Sequence, residues 1–338
     1  MKKLSFFDKL LYLINSLISL LLLLSYLLPY ISPKNIPFFA ILSLFVPVLI
    51  IVNILFFIYW LIQLKKQLLL SGLILLIGWF SVSPFYKFSK KNTSLNSDLK
   101  VMSFNVRMFN HFKSLDEKNI EKKIFSFIED NKPDVFVVQE NSTSEKYDLE
   151  FPYKYIDKKN VKNHFGMAIY SKLPIVNRGS LKLKNTSNNI IFADILREND
   201  TIRIYNLHLQ SLHISPKKEN FGQENSEKLI KKLEKNFLEQ AKQTDLFLVH
   251  EKNWKGKKII CGDFNNTAYS WVYTQISNNK KDGFIEAGNG FGKTYNYWFP
   301  MRIDFILTDN AATVNQFTSF SIEFSDHYPI LARINWLL

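Results

Sequence analysis

Three long stretches without a charged residue dominate the first quarter of the chain. They lie between successive lysines of the N-terminal region, namely Lys9 and Lys34, Lys34 and Lys65, and Lys66 and Lys87. Each stretch is long enough to cross about 30 Å of hydrocarbon as a helix. The pattern predicts a membrane anchor over residues 1–88 that contains three transmembrane helices, at about 10–31, 37–63 and 68–85.

A cleaved signal peptide is the alternative interpretation of the first stretch, because the stretch follows Met-Lys-Lys at the start of the chain. The stretch is too long for the apolar region of a signal peptide, and no small-x-small cleavage site closes it. Two further apolar stretches follow it. The pattern therefore favours a transmembrane helix over a cleaved signal.

Beyond a polar linker at residues 89–98, the pattern changes to short apolar strands that alternate with amphipathic helices. One strand is predicted at 99–106 and another at Val135–Val138, and a turn at Glu198–Asp200 joins two strands into an antiparallel hairpin. Strands and helices in this arrangement favour two packed sheets with helices outside. We therefore expect residues 99–338 to form one α/β domain.

The net charge of +13 belongs mostly to the predicted anchor. Residues 1–97 contain nine lysines and one acidic residue, a balance of +8, which leaves +5 for the remaining 241 residues. Lysines beside membrane helices contact anionic lipids and set topology, so this basicity is weak evidence for nucleic-acid binding. The lysines divide five to four between the two sides of the predicted anchor. Because translocation of a large domain is less governed by charge, we expect a cytoplasmic N-terminus and an extracytoplasmic domain. The single cysteine, Cys261, excludes an intramolecular disulfide framework.

Several predicted strands end in a polar residue suited to metal or phosphate chemistry. These residues come from six segments and are Asn105, Glu140, Asn206 with His208, Asp263 with Asn265, Asp304, and Asp326 with His327. The ends of strands packed side by side share one rim, and active sites commonly lie at such rims. The pattern predicts one site that these side chains build together.

The chemistry of this set favours hydrolysis of a phosphate ester. Phosphoryl oxygens are neutralised by a hard divalent cation, and Mg²⁺ takes few protein ligands and keeps several waters. Glu140 and Asp326 are the natural ligands. A water must also be deprotonated, and His327 oriented by Asp304 would serve as the base.

Neutral or cationic donors must then hold the phosphoryl oxygens as they gain charge, which suits Asn265 and His208. Each site residue taken singly has an ordinary structural explanation. Asn265 could be a turn residue, His208 a hydrogen-bonded strand residue, and Asp304 the partner of Arg302 in a surface salt bridge. Their joint occurrence favours catalysis.

Six short motifs, taken together, resemble those of a known superfamily. They are SFNVR, VVQE, YNLHLQS, GDFNN, RIDFIL and SDHYPI. In this order and spacing they resemble the endonuclease/exonuclease/phosphatase superfamily, which includes DNase I-like nucleases, abasic-site endonucleases, sphingomyelinases and inositol-phosphate 5-phosphatases. The resemblance covers about residues 99–338. It implies a four-layer α/β sandwich of two mostly antiparallel β-sheets flanked by helices, here preceded by the three transmembrane helices.

The resemblance implies a metal-dependent hydrolase of phosphate esters. Asn105 would lie beside the metal and the phosphate, Glu140 would be the main ligand of Mg²⁺, and Asp326 would lie at the metal-side edge. Mn²⁺ is the alternative ion.

The resemblance also assigns the acid–base and phosphate-contacting residues. Asp263 would orient the attacking water, Asn265 would stabilise the transition state, and His208 would contact the phosphate. His327, paired with Asp304, would be the general base or proton shuttle.

Three further features are expected near the site. His164 is a candidate substrate-binding residue, because it precedes a strand whose neighbours line the substrate groove in members of the superfamily. Asn266 is expected to hold its loop and not to take part in catalysis. Trp271, Trp298 and Phe299 could form an apolar lip, although packing in the core explains them equally well.

The substrate is less determined than the reaction, because one constellation serves many phosphate esters. The predicted anchor and the small charge of the domain favour a lipid-linked phosphate over nucleic acid. The chain resembles bacterial members anchored in the inner membrane, with the lipid bilayer as its partner and no obligate protein partner inferred. A DNase-like enzyme acting on nucleic acid is the alternative, and a receptor or scaffold without catalysis is a remote one.

Overall fold

The computed structural model describes residues 4–88, 91–110, 119–142, 149–160, 165–212 and 223–336. These residues form an N-terminal bundle of helices (Phe6–Ser81) and a sandwich domain of strands and helices (Leu99–Asn335). The bundle has α1 (Phe6–Ser25), α2 (Pro37–Ala40), α3 (Val46–Ile62) and α4 (Leu68–Ser81), with 3-10 turns at Leu28–Tyr30 and Ile41–Leu44.

The bundle differs from the three transmembrane helices predicted. In residues 4–88, one helical stretch, Phe6–Tyr30, is long and apolar enough by itself to cross a membrane. The second apolar stretch is bent by 57° between Pro37–Leu44 and Val46–Ile62, and would count as one more span only if both arms were taken together. Helix α4 has only 14 residues.

The prediction of three transmembrane helices is therefore wrong, and prolines explain why. Pro47 has no N–H to donate to the Ser43 carbonyl four residues earlier, so the chain bends where hydropathy alone shows a continuous run. Pro84 disfavours the helical conformation for Ser83, and the backbone is already extended at Val82.

The bundle buries a network of polar side chains beside its apolar core, and its exposed surface is mostly apolar. Asn15 Nδ2 donates to Ser71 Oγ at 2.7 Å, Ser19 Oγ donates to Asn53 Oδ1 at 2.7 Å, and Trp60 Nε1 donates to Asn15 Oδ1 at 3.0 Å. These side chains are fully buried and join α1, α3 and α4. The exposed surface is aliphatic and includes Leu10, Leu13, Leu17, Leu20, Ile54, Leu55, Leu61, Leu69, Leu73 and Leu76.

The sandwich domain contains β-strands and four helices within the described residues. The strands are β1 (Leu99–Asn105), β2 (Val135–Asn141), β3 (Tyr153–Asn160), β4 (Phe165–Ser171), β5 (Ile175–Ser180), β6 (Asn189–Arg197), β7 (Asp200–His208), β8 (Lys258–Asp263), β9 (Lys280–Asp282), β10 (Asp304–Asp309), β11 (Thr313–Ser319) and β12 (Ile330–Asn335). The helices are α5 (Ile120–Asn131), α6 (Gln223–Lys252), α7 (Trp271–Ser277) and α8 (Gly283–Ala287).

The described strands pair into two mixed sheets. One has the order β11-β12-β1-β2-β4-β3 and the other β5-β6-β7-β8-β10-β9. The pairs β1–β2 and β7–β8 are parallel and the other pairs are antiparallel. The prediction of two packed sheets flanked by helices is confirmed.

Three layers of apolar contacts hold the sandwich together. Between the sheets lie fully buried side chains such as Val101, Ile204 and Cys261. Helix α5 packs on the outer face of the first sheet, and α6 and α7 pack on the outer face of the second. The layer order is therefore helix, sheet, sheet, helix, and the edge where the strands end is left for the site.

The bundle packs directly on the sandwich domain. Ala40 and Leu44 share an apolar cluster with Leu233 and Phe237 of α6. Tyr269, from the loop after β8, lies in the apolar core of the bundle. Polar contacts support this junction, namely Lys34 with Asp245, Ser83 with Arg302, and Ser43 with Asn266 and Thr267.

Candidate active site

The strand register brings the predicted site residues to one edge of the sandwich. Asp263, at the end of β8, is the register partner of His208 in β7 and of Asp304 in β10. Asn105 ends β1 in the other sheet, beside Gln139 of β2. The strand ends of both sheets thus meet, because each sheet contains one parallel pair whose carboxyl ends lie at this edge.

Gly262 makes the close pairing of β7 and β8 possible. Its φ is +133°, and a Cβ added there would collide with the Leu207 carbonyl. Any other residue would be strained in this conformation and would push the strands apart. The separation of His208 and Asp263 therefore depends on this glycine.

Asp263 lies at the centre of the site and is fully buried. Its carboxylate accepts hydrogen bonds from the Asn265 backbone N–H at 2.7 Å, from Asn265 Nδ2 at 3.1 Å and from Asn105 Nδ2 at 3.1 Å. His208 Nε2 and His327 Nε2 lie 3.7 Å and 3.6 Å from its Oδ2. Burial raises the pKa of Asp263, and the His327 charge opposes this effect.

His327 is held between two carboxylates. Its Nδ1 lies 3.0 Å from Asp304 Oδ2, and its Nε2 faces Asp263. Burial lowers the pKa of His327, but the charges of Asp304 and Asp263 outweigh burial and raise the pKa well above its ordinary value. Tyr295 packs edge-on against the imidazole at 5.1 Å. The predicted His–Asp pair is present in the structure.

The structural alternative for Asp304, a salt bridge with Arg302, is not what the structure shows. Arg302 Nη1 instead donates to Asp282 at 2.6 Å. The backbone N–H of Asp304 donates to Thr294 Oγ1 at 3.0 Å. These contacts leave the Asp304 carboxylate facing His327.

Glu140 reaches the site from a β-bulge. The pairing of β2 with β4 slips between Val138 and Asn141, and Glu140 has a φ of +51°. A non-glycine residue in this region is strained, so the surrounding contacts must hold it there. Its Oε1 lies 3.4 Å from Asn105 Nδ2 and 3.8 Å from His208 Nε2. The bulge thus turns the carboxylate toward the common edge.

A buried amide pair lies directly behind Glu140. Gln139 Nε2 donates to Asn206 Oδ1 at 2.8 Å, and Asn206 Nδ2 donates to the carbonyls of Val138 and Ala168 at 2.8 and 3.0 Å. This pair joins the two sheets and satisfies carbonyls beside the bulge. Asn206 was predicted at a strand end, but Gln139 was not predicted as part of the site. The only signal for Gln139 in the sequence is its position before Glu140 in VVQE.

Asp326 lies at the same edge and pairs with Arg107. The Arg107 Nη1 to Asp326 Oδ2 distance is 3.0 Å. Ser325 Oγ donates to the Asn105 carbonyl at 2.8 Å and lies 3.2 Å from Asp326 Oδ1. Arg107 and Ser325 were also missed, although both stand inside the motifs SFNVR and SDHYPI. Arg107 places a cation at the entrance of an otherwise acidic site.

A divalent cation fits the side of the site formed by Asn105, Glu140 and Asp326. Burial raises the pKa of Glu140 to about 7, and the His327 charge opposes this rise. The carboxylates of Asp326 and Asp263 add to it. A cation would relieve this crowding of negative charge, and oxygen ligands of this kind suit Mg²⁺ or Mn²⁺.

A tighter group of possible metal ligands among the described residues is Asp263, Asp304 and His327, all buried, with ligand atoms within 4.8 Å of one another. However, His327 Nδ1 already contacts both oxygens of Asp304, at 3.0 and 3.2 Å. A histidine oriented by one carboxylate and facing another is arranged for proton transfer. The geometry of this group suits acid–base chemistry better than metal ligation.

Comparison with known families identifies the sandwich domain. The profile of the Endonuclease/Exonuclease/phosphatase family matches residues 102–327, about two thirds of the chain. The chain belongs to this family. Residues 8–85 match a separate domain of unknown function. A comparison with curated protein sequences finds no match.

Solved structures of the endonuclease/exonuclease/phosphatase family share the fold. One from Bacteroides vulgatus has 19% identity and a TM-score of 0.54, covering 72% of this chain and 100% of its own. The human Nocturnin catalytic domain with bound sulfate has 17% identity and a TM-score of 0.52, and the match covers 75% of this chain and 98% of that domain. A Bacteroides thetaiotaomicron mannosyl-6-phosphatase has 17% identity and a TM-score of 0.50, and the match covers 70% of this chain and 99% of its own.

Membership in the endonuclease/exonuclease/phosphatase family confirms the predicted enzyme class. The chain is a metal-dependent hydrolase of phosphate esters, in a family that includes phosphodiesterases, phosphatases and nucleases. The predicted catalytic and metal-binding residues lie together at one edge of the sandwich. His164, the predicted substrate-binding residue, lies outside the described residues.

The predicted apolar lip is only partly exposed. Phe299 is buried, Trp271 is half-buried against the cluster under α7, and Trp298 is 76% exposed. Asn266 is buried, and its Nδ2 donates to Gln240 at 2.8 Å.

Proposed function

We propose that the protein is a membrane-anchored phosphohydrolase or phosphodiesterase that acts on a lipid-linked phosphate with the help of Mg²⁺, with Mn²⁺ as the alternative ion. The observation that carries this proposal is the loop between α8 and β10, which contacts both the catalytic histidine, His327, and the bundle. Tyr295 packs on His327, and Met301, six residues later, packs against the buried apolar cluster in which Ala40 and Leu44 of the bundle meet α6. The loop therefore links the site to the junction between the sandwich domain and the bundle, which we assign to the bilayer.

The exposed side chains of the bundle support insertion in a bilayer. Its aliphatic outer surface would be unfavourable in water, while its buried hydrogen bonds are those that hold helices together in lipid. At one end, Asp8 pairs with Lys65 at 2.6 Å. Near the sandwich domain, exposed aromatic side chains dominate, namely Tyr30, Phe38, Phe45, Trp79, Phe80, Phe88 and Trp298. Aromatic belts of this kind occur where protein leaves the hydrocarbon.

The residues of the site divide the chemistry between them. Asn105, Glu140 and Asp326 would hold the metal, which when bound neutralises phosphoryl oxygens and polarises phosphorus. Asp263 would accept a hydrogen bond from the attacking water and aim it. As the new P–O bond forms and the bond to the leaving group breaks, the water would give a proton to Asp263, and the charged His327 would, as the proton shuttle, give a proton to the leaving-group oxygen. Transfer of the proton from Asp263 to His327 would then restore both residues.

Two donors complete the proposed mechanism. His208 would donate from Nε2 to a phosphoryl oxygen, and Asn265 would stabilise the transition state. Asn265 Nδ2 also contacts the Leu209 carbonyl at 3.1 Å, so the amide is held in place before the substrate arrives. His164 stays a proposed substrate-binding residue.

The proposed localisation follows from the same arrangement. Residues 1–88 would anchor the protein in a bacterial inner membrane, 89–98 would link, and 99–338 would act on the extracytoplasmic side. The mixture of phosphatases and nucleases in the family makes nucleic acid the substrate that the experiment must exclude.

The test uses the full chain in lipid nanodiscs with Mg²⁺. Polyprenyl pyrophosphate, sphingomyelin and plasmid DNA are offered separately, to the native protein and to Asp263→Ala and His327→Ala. We expect the native protein to release the phosphate-containing product from one of the lipids, and both substitutions to abolish this release. Asp200→Ala, a control at an exposed position in β7, should keep full activity. Nicking of DNA with every lipid intact would overturn the proposed substrate, and activity in both site variants would overturn the site.

A further inference from the structure

The bend in the bundle meets the loop that carries Asn265. Thr267 Oγ1 donates to the Ser43 carbonyl at 2.9 Å, and both residues are buried. This carbonyl has no intrahelical donor four residues later, because that residue is Pro47. An unsatisfied carbonyl in apolar surroundings is costly, so the loop supplies what the bend lacks.

A second contact joins the same two segments, through Ser43 and Asn266. Ser43 Oγ lies 3.1 Å from Asn266 Oδ1 and 2.7 Å from the Ala40 carbonyl, so its proton is shared between two acceptors. Asn266 Oδ1 also accepts from the Thr267 backbone N–H at 2.9 Å. The loop conformation and the position of the bend are thus fixed by one set of hydrogen bonds.

These contacts extend to the catalytic amide. Asn266 Nδ2 donates to Gln240 Oε1 at 2.8 Å, and Gln240 Nε2 donates to the Asn265 carbonyl at 3.0 Å. Asn265 then contacts Asp263 through its backbone N–H and its Nδ2. A chain of hydrogen bonds, fully buried at the bundle end and partly buried at Asn265, therefore runs from Ser43 of the bundle to the carboxylate at the centre of the site.

Apolar packing holds both the loop after β8 and helix α6 against the bundle. Tyr269 is 6% exposed and packs with Tyr26, Val46 and Leu49 in the bundle core. On the other side, Ala40 and Leu44 pack with residues of α6, the helix that carries Gln240. A displacement of the bend would move the loop and Gln240 together.

We infer that the bend that follows Ser43 is a positioning element of the active site. Besides anchoring the chain, the bundle fixes the loop that places Asn265 and Asp263. The inference rests on the proposed catalytic residues and does not depend on a lipid substrate. It concerns the arrangement of the site once assembled, so it should affect turnover more than substrate binding.

The test uses the full chain in nanodiscs, with Mg²⁺ and the soluble probe bis(p-nitrophenyl) phosphate beside the lipid substrates. Thr267→Val removes the hydroxyl and keeps the shape, and Thr267→Ser keeps the hydroxyl. Ser43→Ala has a matched control in Ser25→Ala, because Ser25 is equally buried in the bundle and its hydroxyl donates to the Leu22 carbonyl, three residues earlier.

We expect Thr267→Val and Ser43→Ala to lower kcat about tenfold with KM nearly unchanged, while Thr267→Ser and Ser25→Ala stay close to the native enzyme. Amide hydrogen exchange over residues 263–270 should accelerate about fivefold in the first two variants and not in the others.

Unchanged exchange and kcat in Thr267→Val, or equal losses in Ser25→Ala, would overturn the inference. If none of the probes is hydrolysed, hydrogen exchange decides alone. Turnover of the soluble diester that follows this pattern, with no lipid cleaved, would support the inference and refute the lipid substrate.

Discussion

The N-terminal bundle and the sandwich domain differ in what they bury and what they expose. In the sandwich, Val101, Ile204 and Ile306 are fully buried, as in soluble proteins. In the bundle, Asn15 and Ser19 are fully buried together with Leu22, and leucines cover the surface. On our proposal the two regions therefore face different solvents, and the loop that follows Asp263 joins them.

The comparison also separates what holds each region together. The sandwich is stabilised by burial of apolar area between its layers, which depends on water outside. In the bilayer that we propose, the bundle would gain little from burying leucine, so buried hydrogen bonds and close packing would have to join its helices. Four predictions test this contrast, from the largest expected effect to the smallest.

The largest effect should come from Asp304→Asn, which changes chemistry in the sandwich and leaves the bundle intact. The amide cannot stabilise a charged His327, so we expect kcat to fall about 10³-fold with the fold retained. Steady-state kinetics on whichever substrate is cleaved measures this. A variant that keeps a tenth of the native activity would exclude a catalytic role for the His327–Asp304 pair. Asp200→Asn, at an exposed position, is the control.

A lysine on the surface of each region should next distinguish the two solvents. Leu17 of α1 and Leu246 of α6 are both exposed, at 56% and 45%. Leu17→Lys should destabilise the inserted bundle by about 3 kcal/mol. Leu246→Lys should change stability by less than about 0.5 kcal/mol. Membrane extraction and unfolding in nanodiscs measure both, and equal tolerance would contradict a bilayer around the bundle.

A smaller effect should follow from making the bundle interior apolar. Asn15→Leu leaves Ser71 and Trp60 without this partner, and we expect a loss of about 1–2 kcal/mol. Unfolding by denaturing detergent measures it, with Ser16→Ala, which loses a bond to the Tyr12 carbonyl within α1, as the control. A stabilised Asn15→Leu variant would argue against the contrast.

The smallest effect concerns pH and only the sandwich. Burial raises the pKa of Asp98, but donors from Leu95, Asn315, Asn335 and Arg333 outweigh burial and hold the pKa below its ordinary value. The ionised carboxylate thus stabilises the domain above about pH 4, and this stabilisation is lost as the pH falls further. Thermal unfolding of Asp98→Asn should depend less on pH between 5 and about 3. An unaltered pH dependence would exclude this contribution.

The strand-end residues could be predicted because each motif carries its own signal. An apolar run that ends at Asn105, His208 or Asp263 indicates a strand and the chemistry at its end without knowledge of the partner strand. Asp326 and His327 were also predicted at a strand end, but they lie in the loop between β11 and β12. Two sheets flanked by helices followed from the same alternation. This much depends on sequence periodicity, which is local.

The remaining features depend on contacts between distant segments. Gln139 meets Asn206 only because the two sheets pack with one particular register. The Glu140 bulge is visible only from its partner strand. The bend at Pro47 does not change hydropathy, so a count of apolar residues gave a helix where the backbone turns by 57°.

The hydrogen bond between Ser43 and Thr267 joins residues 224 positions apart. At a ribosome speed of about 5–20 residues per second, roughly 10–45 s pass between their syntheses. If the bundle is a membrane anchor, as we propose, it has time to insert and bend at Pro47 before the catalytic loop exists. The carbonyl left open by Pro47 would then give the late loop a preformed place to dock, and the active site would be completed only after the anchor is in position.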